Sequence, residues 1–135
     1  MTQKYVNDIA YSIVGCAIEV HKHLGPGLLE SVYETCLTDE LKRHKLKVQS
    51  QLHVPIHYKE RNLGGSLKLD LLVENLVIVE LKAVEALIPV YKAQLLSYLK
   101  LSSKPKGILI NFNTDNITEH AIHLVTEEFA RLPKS

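Results

Sequence analysis

The apolar residues change period several times along the chain. Val6, Ile9, Ile13, Val14, Ala17, Ile18 and Val20 recur at helical spacing, with Asn7, Ser12 and Glu19 on the polar side, so residues 6–23 predict a helix. Gly25-Pro26-Gly27 breaks it. A second helical period runs from Leu28 to about His44 through Val32, Tyr33, Cys36, Leu37 and Leu41, with charge on its outer side. From Lys47 to Tyr58 the period shortens to two, through Val48, Leu52, Val54 and Ile56, which predicts a strand. Lys59 to Gly65 reads as a polar, glycine-rich turn. Leu67 to Lys82, LKLDLLVENLVIVELK, has two apolar arms about Glu74-Asn75, a hairpin signature. Pro89 suits a helix start, and the apolar spacing carries that helix to about Leu101. Lys104–Gly107 is a loop, and Gly107–Phe112 a buried strand. In the tail, His120–Val125 fits either a strand or a helix start, and Glu127–Leu132 looks helical. The order α-α-β-β-β-α-β predicts an α/β sandwich around a mixed sheet.

The hairpin carries charge where buried strands should not: Asp70 in one arm, Glu80 and Lys82 in the other. Such charges are costly unless they are paired or hold a metal. Glu80 and Lys82 share a strand face. Asp70 joins them only if the loop is odd in length or bulged. A two-residue turn would set Asp70 opposite Val79. A three-residue loop, Val73-Glu74-Asn75, pairs Leu72 with Leu76, sets Asp70 against Ile78 and leaves it diagonal to Glu80. Asn75 suits the left-handed third position of that loop. The expectation is therefore an odd loop, with Asp70, Glu80 and Lys82 on one face.

Composition adds bounds rather than chemistry. The 135 residues suit one domain, residues 1–135, and 46% apolar with 23% charged residues is ordinary for a globular chain. The net charge of +1 gives no overall nucleic-acid footprint, so phosphate binding would need a local patch. No apolar run approaches ~20 residues and no signal-peptide pattern is present, so the expected location is cytoplasmic, away from membranes. Cys16 and Cys36 lie in helical patterns without metal-like spacing and are expected to be reduced.

Asp70 and Glu80 could share a divalent cation through oxygen ligands; a surface salt bridge with Lys68 and Lys82 is the competing reading. Lys82 could orient a nucleophile or stabilise charge at phosphorus, or simply be a solvated partner of Glu80. Glu30 and Tyr33 share a helix face, followed by Glu34; their bland reading is an acid at a helix N-terminus beside a core tyrosine. Gln94 and Tyr98 lie one helical turn apart, where a surface amide is the simpler reading. His21, His23, His53 and His57 lack zinc-ligand spacing. Leu24-Gly25-Pro26-Gly27 shares only a glycine turn with helix-hairpin-helix phosphate clamps. Lys42, Arg43, Lys45 and Lys47, and Lys100, Lys104 and Lys106, could flank a groove, though solvated faces explain such residues as well.

Asp70 with Glu80-Leu81-Lys82 resembles the active-site pattern of the PD-(D/E)XK nuclease superfamily. Gln94-Leu-Leu-Ser-Tyr98 is similar to the Q-x-x-x-Y helix motif of its RecB-like branch. Gly27-Leu-Leu-Glu30-Ser-Val-Tyr33 matches the signature of the GxxExxY family, and IEVHKHLGPGLLESVYE, LDLLVENLVIVELKAV and GILINFN also look like it. The resemblance spans roughly Ile13 to Phe112. Leu69 stands where the nominal motif has proline. The resemblance implies a restriction-endonuclease-like α-β-β-β-α-β core, its mixed sheet flanked by helices, with an extra N-terminal helix. It implies Mg²⁺ or Mn²⁺ held by Asp70 and Glu80, with Glu30 completing the metal site, Lys82 as catalytic lysine, and Gln94 and Tyr98 lining the site. The implied activity is metal-dependent hydrolysis of DNA phosphodiesters. RNA stays open as substrate, a homodimer fits so short a chain, and a non-catalytic binding or assembly module is the alternative.

Overall fold

A computed structural model describes residues 1–135. It contains α1 (Gln3–Leu24), α2 (Glu30–Arg43), β1 (Val48–Tyr58), β2 (Arg61–Val73), β3 (Val77–Lys82), α3 (Pro89–Ser102), β4 (Lys106–Asn111), β5 (Ala121–Val125) and the short α4 (Glu127–Ala130). The tail is thus a strand and a one-turn helix. The five strands form one mixed sheet in the order β1-β2-β3-β4-β5. Only β3 and β4 run parallel, joined by the α3 crossover; the other neighbours are antiparallel. This is an α/β fold of the restriction-endonuclease-like kind, with α1 as the additional N-terminal helix.

Helix ends follow local chemistry. The Thr2 hydroxyl accepts from the Tyr5 N–H at 3.0 Å and caps α1. Pro89 occupies the first turn of α3, where a missing N–H costs nothing. Gly25 closes α1 at φ 68°, ψ −176°, a conformation that disfavours any side chain.

The sheet is covered on both faces. Val6, Ile9, Ile13 and Ala17 of α1, with Tyr33, Leu37 and Leu41 of α2, bury one face through Leu71, Val73, Val79, Ile108 and Ile110. Leu95 and Leu99 of α3 bury the other through Leu69, Leu72, Ile78 and Leu109. Every residue of β4 is buried, as expected of a strand with parallel pairing and helices on both sides. Cys16 is buried and Cys36 half-buried, and both are free.

Three expectations need correction. The turn predicted over Lys59–Gly65 is only Lys59-Glu60, both left-handed at φ 50° and 64°, and β2 begins at Arg61. The glycines instead serve a bulge: between the pairs Pro55↔Ser66 and His57↔Asn62, one residue of β1 faces three of β2, with Gly64 at φ 83°. The inner loop is odd in length, but it is Glu74-Asn75-Leu76, closed by the pair Val73↔Val77. Leu72 therefore faces Ile78 rather than Leu76, because Glu74 and Asn75 both turn left-handed (φ 52° and 58°). Finally, side chains in β1 and β2 do not alternate without a break. Val48 packs towards α1 and α2, but Leu52 and Val54 towards α3; Leu71 and Leu69 part in the same way. The switch falls at Gln51, left-handed at φ 52°, and at Asp70 across from it.

Candidate active site

The site lies where β2 and β3 part. Their ladder runs only from Val73↔Val77 to Leu71↔Val79. Continued by one pair, it sets Asp70 directly across from Glu80, not diagonal to it. There the carboxylates take the place of backbone carbonyls. The Asp70 N–H donates to Glu80 Oε1 at 3.2 Å, and the Leu81 N–H donates to Asp70 Oδ2 at 2.9 Å. Glu80 is 7% exposed and Asp70 half-buried. Burial, then the nearby Asp70 charge, pushes the Glu80 carboxyl up from its ordinary 4.5 to about 8. The Lys and Arg ion pairs of the protein all lie along helices, and none includes Asp70, Glu80 or Lys82. The salt-bridge reading of these acids with Lys68 and Lys82 is therefore not what the geometry shows.

Lys82 ends β3. Its ammonium stands 4.4 Å from the centre of the Tyr91 ring rather than in an ion pair with Glu80. Tyr91, in the first turn of α3, thus holds the lysine beside the acids. Nothing in the residue pattern singled Tyr91 out, although it lies three residues before Gln94 on the same helix.

Glu30 comes from the other layer. The Tyr33 ring, fully buried, stacks on Phe112 with centroids 4.6 Å apart. Its hydroxyl donates to the Gly25 carbonyl and accepts from the Leu28 N–H at 3.1 Å. Tyr33 so ties down the loop before α2 and sets where that helix begins, with Glu30 as its first residue. Burial raises the Glu30 pKa, the Asp70 charge raises it further, and the Lys82 charge lowers it. Glu34, one turn on, is raised by burial and by Asp70, and accepts a hydrogen bond from the Gln51 side-chain amide. Gln51 is a second residue missed from sequence: its left-handed backbone aims its side chain at α2.

The two acids form a close pair, and no three His, Cys, Asp or Glu side chains cluster closely enough to preform a metal cage. Glu30 is therefore a neighbour of the pair rather than a third member of a ready cluster. The donors fit a hard divalent cation all the same. They are oxygen-only, one is buried, and neither forms a salt bridge, so a cation between them would offset both the burial and the Asp70 repulsion that raise Glu80. Gln94 and Tyr98 do pair, amide to hydroxyl at 3.0 Å, but neither makes a hydrogen bond to Asp70, Glu80 or Lys82. Two of the histidines are otherwise engaged: His21 bonds the Thr114 carbonyl at 2.7 Å, and His53 the Ser66 hydroxyl at 3.3 Å.

A sequence model described as PD-(D/E)XK nuclease superfamily matches residues 7–123, most of the chain. The chain belongs to the PD-(D/E)XK nuclease superfamily. No curated protein and no solved structure gives a significant match. No helix is long and apolar enough to cross a membrane. As a PD-(D/E)XK protein, the chain is assigned to nuclease chemistry in general and to a nucleic-acid substrate, and its superfamily typically uses divalent metals.

Proposed function

We propose that this PD-(D/E)XK protein, as one catalytic unit over residues 1–135, is a Mg²⁺- or Mn²⁺-dependent nuclease of the GxxExxY branch that hydrolyses DNA phosphodiesters. The observation that carries the reading is the Asp70–Glu80 pair, two adjoining carboxyl groups with no salt-bridge partner, beside the ring-held Lys82. A divalent cation bound there supplies charge neutralisation at the phosphate and a more acidic water. Asp70 and Glu80 would hold it, with their second oxygens held in place by backbone N–H groups. Lys82 would bring its ammonium to the attacked phosphate and stabilise charge developing on its oxygens. Glu30 would orient water within that shell, and Gln94 with Tyr98 would line the approach from α3. Two free cysteines favour a reducing compartment such as the cytoplasm, and a homodimer would join two such sites.

The experiment is cleavage of supercoiled plasmid, branched DNA and RNA with Mg²⁺, Mn²⁺ or chelator, comparing wild type with Asp70→Ala and Lys82→Ala. Cation-dependent cleavage of DNA, lost in both variants, is the expected result; variants that match wild type would end the proposal. The net charge of +1 favours the second reading, a binding or assembly module without turnover. Titration with Mn²⁺ separates the two, since the module reading requires no uptake at Asp70 and Glu80.

A further inference from the structure

The β1–β2 hairpin outruns the body of the protein. β2 pairs with β3 only through Leu71–Val73, whereas β1 and β2 stay paired out to Tyr58↔Arg61. Leu52 and Val54 anchor the base against the α3 layer. From Pro55 to Ser66 every residue except Ile56 is exposed. At about 3.3 Å per residue, the tip stands roughly 20 Å beyond Leu52. The result is a two-stranded ribbon that springs from Asp70 itself and is too small to be stabilised by its own packing.

Its chemistry differs from the rest of the chain. Residues 53–68 hold three of the sixteen Lys and Arg (Lys59, Arg61, Lys68) but one of the fifteen acids, Glu60, so the remainder keeps thirteen basic against fourteen acidic residues. Tyr58 is 59% exposed at the tip, with the Lys59 ammonium 5.5 Å from its ring centre. The strained left-handed turn at Lys59-Glu60 presents these groups at the very end of the ribbon. A second copy of the chain is a poor occupant. Pro55 interrupts the donor row on the free edge of β1. Along β2 from Asn62 to Ser66, Leu63 is the single exposed large apolar side chain, too little to hold a docking strand.

We infer that this ribbon is a DNA-gripping arm, which enters the major groove of the duplex flanking the bond to be cut, with Lys59 and Arg61 on phosphates and Tyr58 against the groove wall. The inference rests on the nuclease reading above. The B-form major groove admits a two-stranded ribbon, whereas the deep, narrow major groove of duplex RNA does not. The arm therefore selects duplex DNA over duplex RNA, and it acts through binding rather than at the reacting phosphate.

The test is fluorescence anisotropy of the full chain with a labelled DNA duplex in Ca²⁺, across a salt series, alongside plasmid cleavage in Mg²⁺ or Mn²⁺. Lys59→Glu with Arg61→Glu should weaken duplex binding on the order of tenfold or more and flatten the salt slope by about two. Tyr58→Ala should weaken binding with the salt slope unchanged, and duplex RNA of the same sequence should bind less tightly than DNA. The milder pair Lys59→Ala with Arg61→Ala serves if charge reversal disturbs folding, as read from the thermal midpoint. If wild type cleaves DNA and the folded tip variants bind it as wild type does, or if duplex RNA binds as well as DNA, the arm inference is overturned alone. If wild type neither binds nor cleaves nucleic acid, the nuclease reading falls and takes the arm with it.

Discussion

β2 belongs to two hairpins that have that strand in common and little else. With β1 it makes an outer hairpin whose far half stands in solvent; with β3 it makes an inner one in which Leu71, Val73, Val77, Ile78 and Val79 are fully buried. Both turn on non-glycine residues in the left-handed region, Lys59-Glu60 outside and Glu74-Asn75 inside. The inner turn is tied down: the Glu74 N–H donates to the Lys47 carbonyl at 2.8 Å, the Lys47 N–H to Glu74 Oε2 at 2.6 Å, and Lys104 Nζ to Asn75 Oδ1 at 3.0 Å. The outer turn has no such bonds. Charge costs little outside, where water solvates it, and a great deal inside, where Asp70 and Glu80 meet without a salt bridge. The expensive charges mark the proposed chemistry; the inexpensive ones mark the proposed grip.

The largest effect that would break this contrast is catalytic. Lys82→Ala should lower DNA cleavage by about 10²–10³-fold with the fold intact, read as plasmid nicking beside a circular dichroism melt. Next comes packing. Ile78→Ala in the inner hairpin should cost about 2–5 kcal/mol, whereas Leu63→Ala in the outer one should stay within about 0.5 kcal/mol; equal losses in urea titrations would erase the distinction.

A third expectation concerns pH. Glu80 holds its proton more tightly when folded, about 8 against an ordinary 4.5. Metal-free protein should therefore lose stability as pH rises through that window and level off above it. Glu80→Gln should flatten the profile, and Mg²⁺ should restore the wild-type loss; a wild-type melting temperature independent of pH over this range, in chelator, contradicts the account. The smallest effect sharpens the comparison of turns. Asn-Gly in place of Lys59-Glu60 should stabilise the protein by about 1 kcal/mol, because those residues suit a two-residue left-handed turn. The same replacement at Glu74-Asn75 should gain nothing, since it forfeits the Glu74 bond to Lys47.

Most elements were legible because each carries its own period. The stripe of α1, the apolar run of β4 and Pro89 at the start of α3 needed no tertiary context. Asp70, Glu80 and Lys82 stood out because charge in an apolar strand is conspicuous. Tyr33 could be placed in the core, but its hold on Gly25 and Leu28 could not be read from spacing. Tyr91 and Gln51 left no signal: one is an ordinary helix tyrosine, and the other matters through a left-handed backbone that a polar residue does not announce. Lys59–Gly65 misled because glycine can mark a bulge as readily as a turn.

The local order of helices and strands, the two covered sheet faces and the three charged residues of the inner hairpin follow from the residue pattern alone, since periodicity and burial cost act over a few positions. Tertiary structure decided the rest. It moved the inner register by two, set Asp70 directly against Glu80, brought the Glu30 carboxyl within the field of Asp70 and Lys82, and extended the outer hairpin into solvent. Those outcomes depend on which backbone groups find partners across strands and layers, and residues distant in the chain settle that together.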